Sequence, residues 1–297
     1  MKSSLSQNRA AIDLHRPLSW QRQLFSYGMA GTAFLLTGIA ILPLFAVLFA
    51  ILHQGLPNLS WEALTSLPAP VGLEGVPNGF ANAIVGTVVM VGLAALVSVP
   101  LGIMAAVYLS EFSRNSQTAN LVRFLVTILS GVPSIVVGVF AYGVIVLTTR
   151  QFSAIAGSFA LAVLMLPIVI LATEAALTLV PQEQRLASAA LGGTRFQTIL
   201  KVVLRAATPG IITGVLLSIA RAAGETAPLI FTALFSDNWM RSLQSPSSSM
   251  SVLIYNYAFS PYQEQNDMAW TAALVLLGVL LLINICSRLL TRIPTDP

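Results

Sequence analysis

Two ionisable side chains of opposite charge stand in an otherwise apolar stretch of the sequence. Arg221 and Glu225 are four residues apart, so that on a helix their side chains share one face. A guanidinium offers a planar fork of donors that suits an oxyanion, and a carboxylate beside it would hold the guanidinium in place. Thr226 adds a hydroxyl group. These three residues form a candidate pathway site for an anion.

The surroundings of Arg221 make its charge costly. Arg221 lies about twelve residues into an apolar block that begins at Pro209, which at about 1.5 Å per residue places it roughly 18 Å along a helix, near the middle of a bilayer. A lipid-exposed charge there costs at least about 2.5–3.5 kcal/mol. Arg221 must therefore face protein or water. A purely structural Arg221–Glu225 pair is the alternative to a solute site.

Composition indicates that water is not the main solvent of this chain. Of its 297 residues 56% are hydrophobic and only 9% are charged, against about a quarter charged in soluble domains. Six apolar blocks are each long enough to cross about 30 Å of hydrocarbon as a helix. The blocks are Tyr27–Leu52, Ala81–Leu109, Leu121–Leu147, Phe152–Leu179, Pro209–Phe235 and Met268–Leu290.

The fold class that follows is an all-α integral membrane protein with six transmembrane helices. Unbroken apolar runs such as Ala272–Ile283 exclude the alternating pattern of a membrane barrel. The first block is too long for the apolar region of a secretory signal, so it is predicted to be a retained helix. Three prolines interrupt the later blocks, Pro100, Pro133 and Pro167. With Ser98 and Ser134 they predict either a shaped path or ordinary helix kinks.

The loops carry a strong lysine and arginine bias. With a cytoplasmic N-terminus, only Arg150 and Arg241 fall outside. The basic residues that fall inside are Lys2, Arg9, Arg16, Arg22, Arg114, Arg123, Arg185, Arg195, Lys201, Arg205, Arg288 and Arg292. The bias predicts that both termini are cytoplasmic. The net charge of +4 is spread among these loops, which argues against nucleic-acid binding.

This orientation divides the chain into four parts. The division predicts a cytoplasmic tail over 1–26, a first helix with its external loop over 27–80, a core of five transmembrane helices over 81–290, and a second cytoplasmic tail over 291–297. Pro- and Gly-rich residues fill the external segment that follows the first helix, with Glu62 and Glu74 as its acidic residues. A second external loop is predicted over 236–267.

The sequence offers no catalytic or metal centre. Its two histidines, His15 and His53, lie outside the apolar blocks, and Cys286 is the one cysteine. Neither a phosphate-binding loop nor a zinc-protease motif is present. The chain is therefore predicted not to be an enzyme and to bind no metal.

The cytoplasmic segment 180–208 is more than a simple connection. Pro181 suits a first helical turn, Gly192 and Gly193 suit a helix end, and Thr194 can cap the next helix. The pattern predicts two short helices joined by a sharp bend. The apolar residues expected to share one face of the second helix are Phe196, Ile199, Leu200, Val203 and Leu204. A helix lying passively on lipid headgroups would carry the same pattern.

This segment resembles the EAA loop of binding-protein-dependent ABC importer permeases, which have a type I permease architecture. The resemblance implies a coupling helix that docks in a cleft of an ATPase subunit, with a glycine at its bend. The residues that it places in ATPase coupling are Ala187, Ser188, Leu191, Gly192, Gly193, Arg195 and Phe196. The sequence departs from the family pattern at Leu186, where the family has a glutamate, and Glu183 is out of register.

Further motifs resemble the phosphate importer permeases of the PstA type. They are the stretches Asn82–Thr87, Ala105–Glu111, Ser130–Gly138 and Ala220–Phe231. The resemblance implies a bacterial plasma (inner) membrane protein that imports inorganic phosphate with a PstC-like second permease, two PstB-like ATPases and an external PstS-like phosphate-binding protein. ATP and Mg²⁺ would bind to the ATPases, so that this chain holds no cofactor.

Physical reasoning alone leaves other functions open. A buried Arg/Glu pair and broken helices suit a secondary transporter or channel for an anion equally well. One such pair also does not discriminate phosphate from another tetrahedral oxyanion. The sequence does not decide whether the second permease is a different chain, how Leu186 alters coupling, or what affinity and regulation the transport has.

Overall fold

Apolar runs of this length satisfy their backbone hydrogen bonds as helices. The computed structural model describes residues 19–73, 75–113 and 116–290, and of residue 290 it describes the backbone alone. The described residues contain no strands. The chain divides into two units, residues 1–50 and residues 51–297. Several residues named above lie outside the described parts: Lys2, Arg9, His15, Arg16, Glu74, Arg114, Arg292 and the predicted tail 291–297.

Thirteen α-helices occur in the described residues. They are α1 (Trp20–Gly55), α2 (Trp61–Thr65), α3 (Ala81–Val107), α4 (Gln117–Gly131), α5 (Ser134–Ala141), α6 (Leu147–Thr149), α7 (Ala154–Thr178), α8 (Gln182–Ala190), α9 (Arg195–Thr198), α10 (Leu204–Ala223), α11 (Ala227–Thr232), α12 (Met250–Ala258) and α13 (Gln263–Leu290). Three π-helical turns extend or join them, at Tyr108–Phe112 after α3, Tyr142–Val146 between α5 and α6, and Ile199–Val203 between α9 and α10.

Five continuous helices are long and apolar enough to cross a membrane, and a bent pair supplies the sixth span. The continuous spans are Trp20–Gly55, Ala81–Phe112, Ala154–Thr178, Arg195–Ala223 and Gln263–Leu289. The bent pair is Gln117–Gly131 with Ser134–Thr149, at 102° to each other. Six spans are confirmed when the pair counts as one.

The third span bends at Pro133, one of the prolines predicted to interrupt a block. Val132, between the two helices, has an extended backbone with ψ of 130°. This conformation is expected because the ring of a following proline disfavours helical backbone angles at the residue before it. Pro133 in turn has no N–H to donate into the preceding turn. The span predicted over Leu121–Leu147 is therefore two helices, because two adjacent residues end α4 and start α5 in a new direction.

The bounds predicted for the fifth span were also wrong. The helix runs from Arg195 through the π-helical turn to Ala223, whereas the prediction was Pro209–Phe235. Pro209 lies inside α10 without ending it, and the break comes at Gly224, the C-cap of α10. The second short helix predicted in the segment 180–208 is consequently the first turn of this long span.

Small residues allow the central helices to approach closely. A β-carbon on Gly102 of α3 would lie 2.7 Å from Val169 Cγ1 of α7. Gly210 and Gly214 of α10, four residues apart, face two alanines of α7: their β-carbons would lie 2.8 and 2.4 Å from the alanine Cβ atoms. This is the small-residue packing typical of membrane helices, whose backbones meet where no large side chain intervenes.

The segment between α11 and α12 packs against α3 and the start of α7 and is not a simple external loop. Backbone amides of Ser153, Ala154 and Ile155 donate to carbonyls in the range 232–245 at 3.0–3.2 Å. The serines at 247–249 are at most 2% exposed. A β-carbon on Gly86 of α3 would lie 1.9 Å from the Ser248 carbonyl oxygen. The external loop predicted over 236–267 was wrong in this respect, because α12 and the serines pack against α3.

Candidate functional site

Two helix breaks meet beside α7 and line a cavity of about 210 Å³ that is open to the surface. One break is the bend between α4 and α5, and the other is the end of α10. The cavity is lined by Leu129, Ser130, Gly131, Val132, Pro133, Ser134, Leu164, Met165, Ile168, Ser218, Arg221, Ala222 and Glu225. Its volume exceeds the roughly 30 Å³ of one water molecule several-fold, which leaves space for a small hydrated ion.

Arg221 and Glu225 line this cavity together. The Arg221 Nε lies 3.7 Å from the Glu225 Oε1, with the arginine side chain 63% exposed and the glutamate side chain 16% exposed. This separation is too long for a hydrogen bond. No hydrogen bond from the Arg221 guanidinium to any described residue is present. The guanidinium therefore keeps its donors available at the mouth of the cavity.

The placement of this pair differs from the prediction. Arg221 lies in the last turn of α10 and not in the middle of a span, and Glu225 follows the helix end and is not on the same helix. A cation in the last turn is favoured by the helix dipole. The Glu225 carbonyl accepts a hydrogen bond from the Ser251 hydroxyl at 2.8 Å, which fixes the backbone of the break.

The other predicted pathway residues are only partly brought together. Pro133 and Ser134 line the cavity, but Thr226 does not. Thr226 is the N-cap of α11, without a side-chain capping hydrogen bond. Pro100 lies inside α3 as an ordinary helix residue.

The segment 182–198, which we call the elbow, forms the sharp bend that the sequence predicts. The amides of Gly192 and Gly193 donate to the carbonyls of Ala189 and Ser188, each at 3.0 Å, and Gly192 has φ +80°. This is a Schellman ending, which requires a left-handed residue. Thr194 then caps α9 in a capping box with Gln197.

A hydroxyl pair closes the elbow from inside. Ser188 Oγ and Thr198 Oγ1 lie 2.8 Å apart, across the bend. A β-carbon on Gly193 would lie 2.8 Å from the Ser188 Oγ and 2.9 Å from its carbonyl oxygen. The two arms of the elbow are thus held together by short contacts that leave no space for a side chain at residue 193.

The elbow exposes apolar side chains. Leu186 is 62% exposed, Leu191 90% and Phe196 65%, and Ala187 and Gly192 are exposed as well. The single apolar face predicted for the second helix is divided, since Ile199 and Val203 are buried. The π-helical turn explains the difference, because its extra residue rotates the preceding turn relative to the following one.

Three arginines converge on the end of α3, close to the elbow. Arg185 of α8 binds the Glu111 carboxylate, with Nη2 2.7 Å from Oε1 and Nε 3.4 Å from Oε2. Arg195 of α9 donates to the Glu111 carbonyl, and its Cζ lies 4.9 Å from the Phe112 ring centroid. Arg123 of α4 donates to the Leu109 carbonyl at 2.9 Å.

Comparison with known protein families decides the class of this fold. Residues 98–293 match the family model of the binding-protein-dependent transport system inner membrane component. The chain belongs to this family. The matched part of this inner membrane component contains the bent pair, the elbow and the break after α10, whereas α1 precedes it.

Curated relatives of this inner membrane component resemble it over most of its length. A phosphate transport system permease protein PstA of Haemophilus influenzae is 41% identical over 262 residues, which cover 88% of this chain and 92% of the relative. A probable phosphate transport system permease protein PstA of Methanocaldococcus jannaschii is 41% identical over 255 residues, 85% of this chain and 89% of the relative.

A solved structure shares the fold of this inner membrane component. It is the crystal structure of a bacterial alginate ABC transporter in complex with an alginate-bound periplasmic protein. The match has a TM-score of 0.63 at 17% identity and covers 92% of this chain and 95% of that one. The fold is therefore that of a type I ABC importer permease, as predicted.

Sequence reasoning missed two features of this inner membrane component. The packing of α10 against α7 had a detectable signal, because Gly210 and Gly214 have the small-xxx-small spacing of membrane helix contacts. The contact between Glu111 and Arg185 had none, because 74 residues separate them and only the tertiary structure places the end of α3 beside α8.

Proposed function

We propose that this chain is the transmembrane permease subunit of an ATP-driven phosphate importer and forms half of its translocation pathway. The observation that carries the proposal is the 41% identity to the Haemophilus influenzae phosphate permease over 88% of the chain. The cavity with an available guanidinium at Arg221 supports the same conclusion, since forked donors suit a tetrahedral oxyanion.

The cavity suits brief binding. Arg221 attracts the phosphate oxyanion, and the Glu225 carboxylate, 3.7 Å from its Nε, limits how firmly the anion is held, because a like charge close by weakens anion binding. Both residues sit at a helix break, where backbone groups are accessible to a solute. The cavity lies at the surface of one chain, and a PstC-like second permease supplies the opposite wall.

The elbow joins this chain to the ATPase. Its exposed Leu191 and Phe196 dock in a cleft of a PstB-like ATPase subunit, with Ala187, Ser188, Gly192, Gly193 and Arg195 forming the bend. Leu186, where the family pattern has a glutamate, is exposed as well. These three side chains give the docking surface an apolar part. ATP and Mg²⁺ bind to the two ATPases, and bond cleavage takes place there.

The orientation follows from this docking. The elbow lies in the cytoplasm of a bacterial cell, both termini are on the same side, and the opposite end of the bundle receives phosphate from a PstS-like binding protein. ATP-driven movement of the ATPases pushes on the elbow and changes which side of the membrane the cavity faces.

Uptake of labelled phosphate tests the proposal. The chain is reconstituted in vesicles with a second permease and ATPases, and with the phosphate-binding protein on the outer side. We expect uptake that requires hydrolysable ATP, and association with the ATPase that is lost in Gly193→Glu, because residue 193 has no space for a side chain. Uptake driven by an ion gradient without any ATPase would instead show a secondary transporter. Preference for another oxyanion over phosphate would correct the substrate.

A further inference from the structure

The end of α3 is held by contacts that the proposed function does not use. Glu111 lies in the π-helical turn Tyr108–Phe112 that extends α3, and its side chain is 10% exposed. The turn offers unpaired carbonyl groups because a helix end leaves its last carbonyls without internal partners. Arg195 and Arg123 donate to two of these carbonyls, at Glu111 and Leu109.

Arg185 connects this turn to the elbow. Two of its nitrogens face the two carboxylate oxygens of Glu111, a forked geometry that fixes direction as well as distance. The same guanidinium donates to the carbonyls of Leu177 at 3.0 Å and Val180, at the end of α7. One side chain of α8 is therefore bound to both α3 and the end of α7.

We propose that Glu111, with Arg185 and Arg195, forms a clasp that makes α3 move with the elbow. The proposal rests on the proposed function and assigns Glu111 and Arg185 as positioning residues for transport. When the ATPases displace the elbow, the clasp carries the displacement into α3. This helix packs along α7, and α7 lines the cavity with Leu164, Met165 and Ile168. A π-helical turn suits such a joint, because it departs from the regular helix and is frequent at functional sites.

A merely structural pair would serve only to neutralise a charge. Glu174 and Arg123 form a matched pair for comparison: they are 2.7 Å apart, and Glu174 is 14% exposed. This second pair joins α4 to α7, and Arg123 also donates to the Leu109 carbonyl of the turn. Glu174→Ala removes a similarly buried carboxylate from a similar arginine and leaves Glu111, Arg185 and Arg195 in place.

The first test measures phosphate uptake per ATP hydrolysed in the fully assembled importer. We expect Glu111→Ala to assemble with the ATPase and hydrolyse ATP but to lower uptake per ATP about tenfold, within the range usual for coupling between sites. Glu174→Ala should stay within about twofold of the unchanged protein, a difference of less than one RT. The double variant Glu111→Ala with Arg185→Met removes both charges. Because no unpaired charge remains, this double variant should recover the thermal stability of the unchanged protein. It should not recover coupling, because no ion pair then joins α3 to α8.

Recovery of coupling in the double variant, an equal loss in Glu174→Ala, or unchanged coupling in Glu111→Ala would each overturn the clasp. If Glu111→Ala does not assemble, Glu111→Gln keeps the shape and should show a smaller loss of uptake per ATP. An unchanged ratio in that variant would count against the clasp in the same way.

The second test does not depend on the transported solute. Hydrogen exchange of the assembled complex is measured with and without ATP. In the unchanged protein, nucleotide should alter exchange in both the elbow and Tyr108–Phe112. In Glu111→Ala the response of Tyr108–Phe112 should be weaker, because only Arg195, through the backbone carbonyl of residue 111 and the Phe112 ring, still joins this turn to the elbow. An equal response of Tyr108–Phe112 in the variant would overturn the clasp. Absence of phosphate uptake by the unchanged assembly would overturn the proposed function and leave this measurement valid.

Discussion

Gly138 of α5 lies directly against Pro228 of α11: a β-carbon built on Gly138 would stand 2.6 Å from the Pro228 Cα. The two helices follow the two breaks that line the cavity. Their close contact therefore fixes how the bend after α4 and the break after α10 are placed relative to each other, and hence the shape of the cavity that holds Arg221.

Gly138→Ala is expected to force α5 and α11 apart. Overpacking of this kind costs about 1–3 kcal/mol, so the thermal midpoint in detergent should fall and phosphate uptake should weaken. Gly143→Ala is the matched control, because it lies in the following turn and a β-carbon there meets nothing within 4 Å. Equal stability of the two variants would contradict the close contact.

Arg221→Gln is expected to lower phosphate uptake about tenfold, because a hydrogen bond to a charged group contributes roughly 1.5–3 kcal/mol and exposure places this one at the lower end. Phosphate uptake by Arg221→Lys should fall between that of the unchanged protein and that of Arg221→Gln, since lysine keeps the charge but lacks the forked donors. Initial uptake rates measure the effect, with the exposed Arg241→Gln as control. Full uptake by the glutamine variant, with normal membrane insertion, would remove Arg221 from the pathway.

The left-handed backbone of Gly192 gives a graded test of the elbow. A residue with a β-carbon pays about 1–2 kcal/mol in this conformation. Gly192→Val should therefore weaken ATPase association, measured by the amount of ATPase that copurifies. Gly192→Asn should be close to the unchanged protein, because asparagine tolerates positive φ. Similar losses for both variants would mean that the conformation of residue 192 is unimportant for docking.

Leu191 tests whether docking is apolar. Because its side chain is 90% exposed, Leu191→Asp should leave thermal stability unchanged. A central interface residue contributes about 2 kcal/mol or more, so ATPase binding in a titration should weaken roughly thirtyfold. Phe259, 79% exposed near the opposite end of α3, gives the control Phe259→Asp. Unchanged ATPase affinity of the Leu191 variant would place the docking surface elsewhere.

Local chemistry was sufficient to predict the elbow. Two glycines followed by a threonine dictate a helix end and a new helix start, and the Schellman ending at Gly192 and the capping box at Thr194 form from residues at most five positions apart. Such features need no knowledge of the rest of the chain, because all their hydrogen bonds are local.

The bounds of the fifth span show where local signals mislead. Pro209 was a sensible start for a helix, but a proline inside a membrane helix is tolerated when neighbouring groups satisfy the freed carbonyl. The helix therefore continues back to Arg195. The same shift moved Arg221 from the middle of the predicted span to the last turn of α10, beside a break.

The sequence by itself determined that this chain is a helical membrane protein with about six spans, because hydrocarbon length and backbone hydrogen bonding leave few alternatives to apolar blocks of this size. It also determined the candidate pair Arg221 and Glu225 and the bend of the elbow. Only the tertiary structure decided that the breaks after α4 and α10 share one cavity and that Arg185 reaches Glu111. These contacts join residues far apart in the chain, and their partners depend on how small residues let α3, α7 and α10 pack.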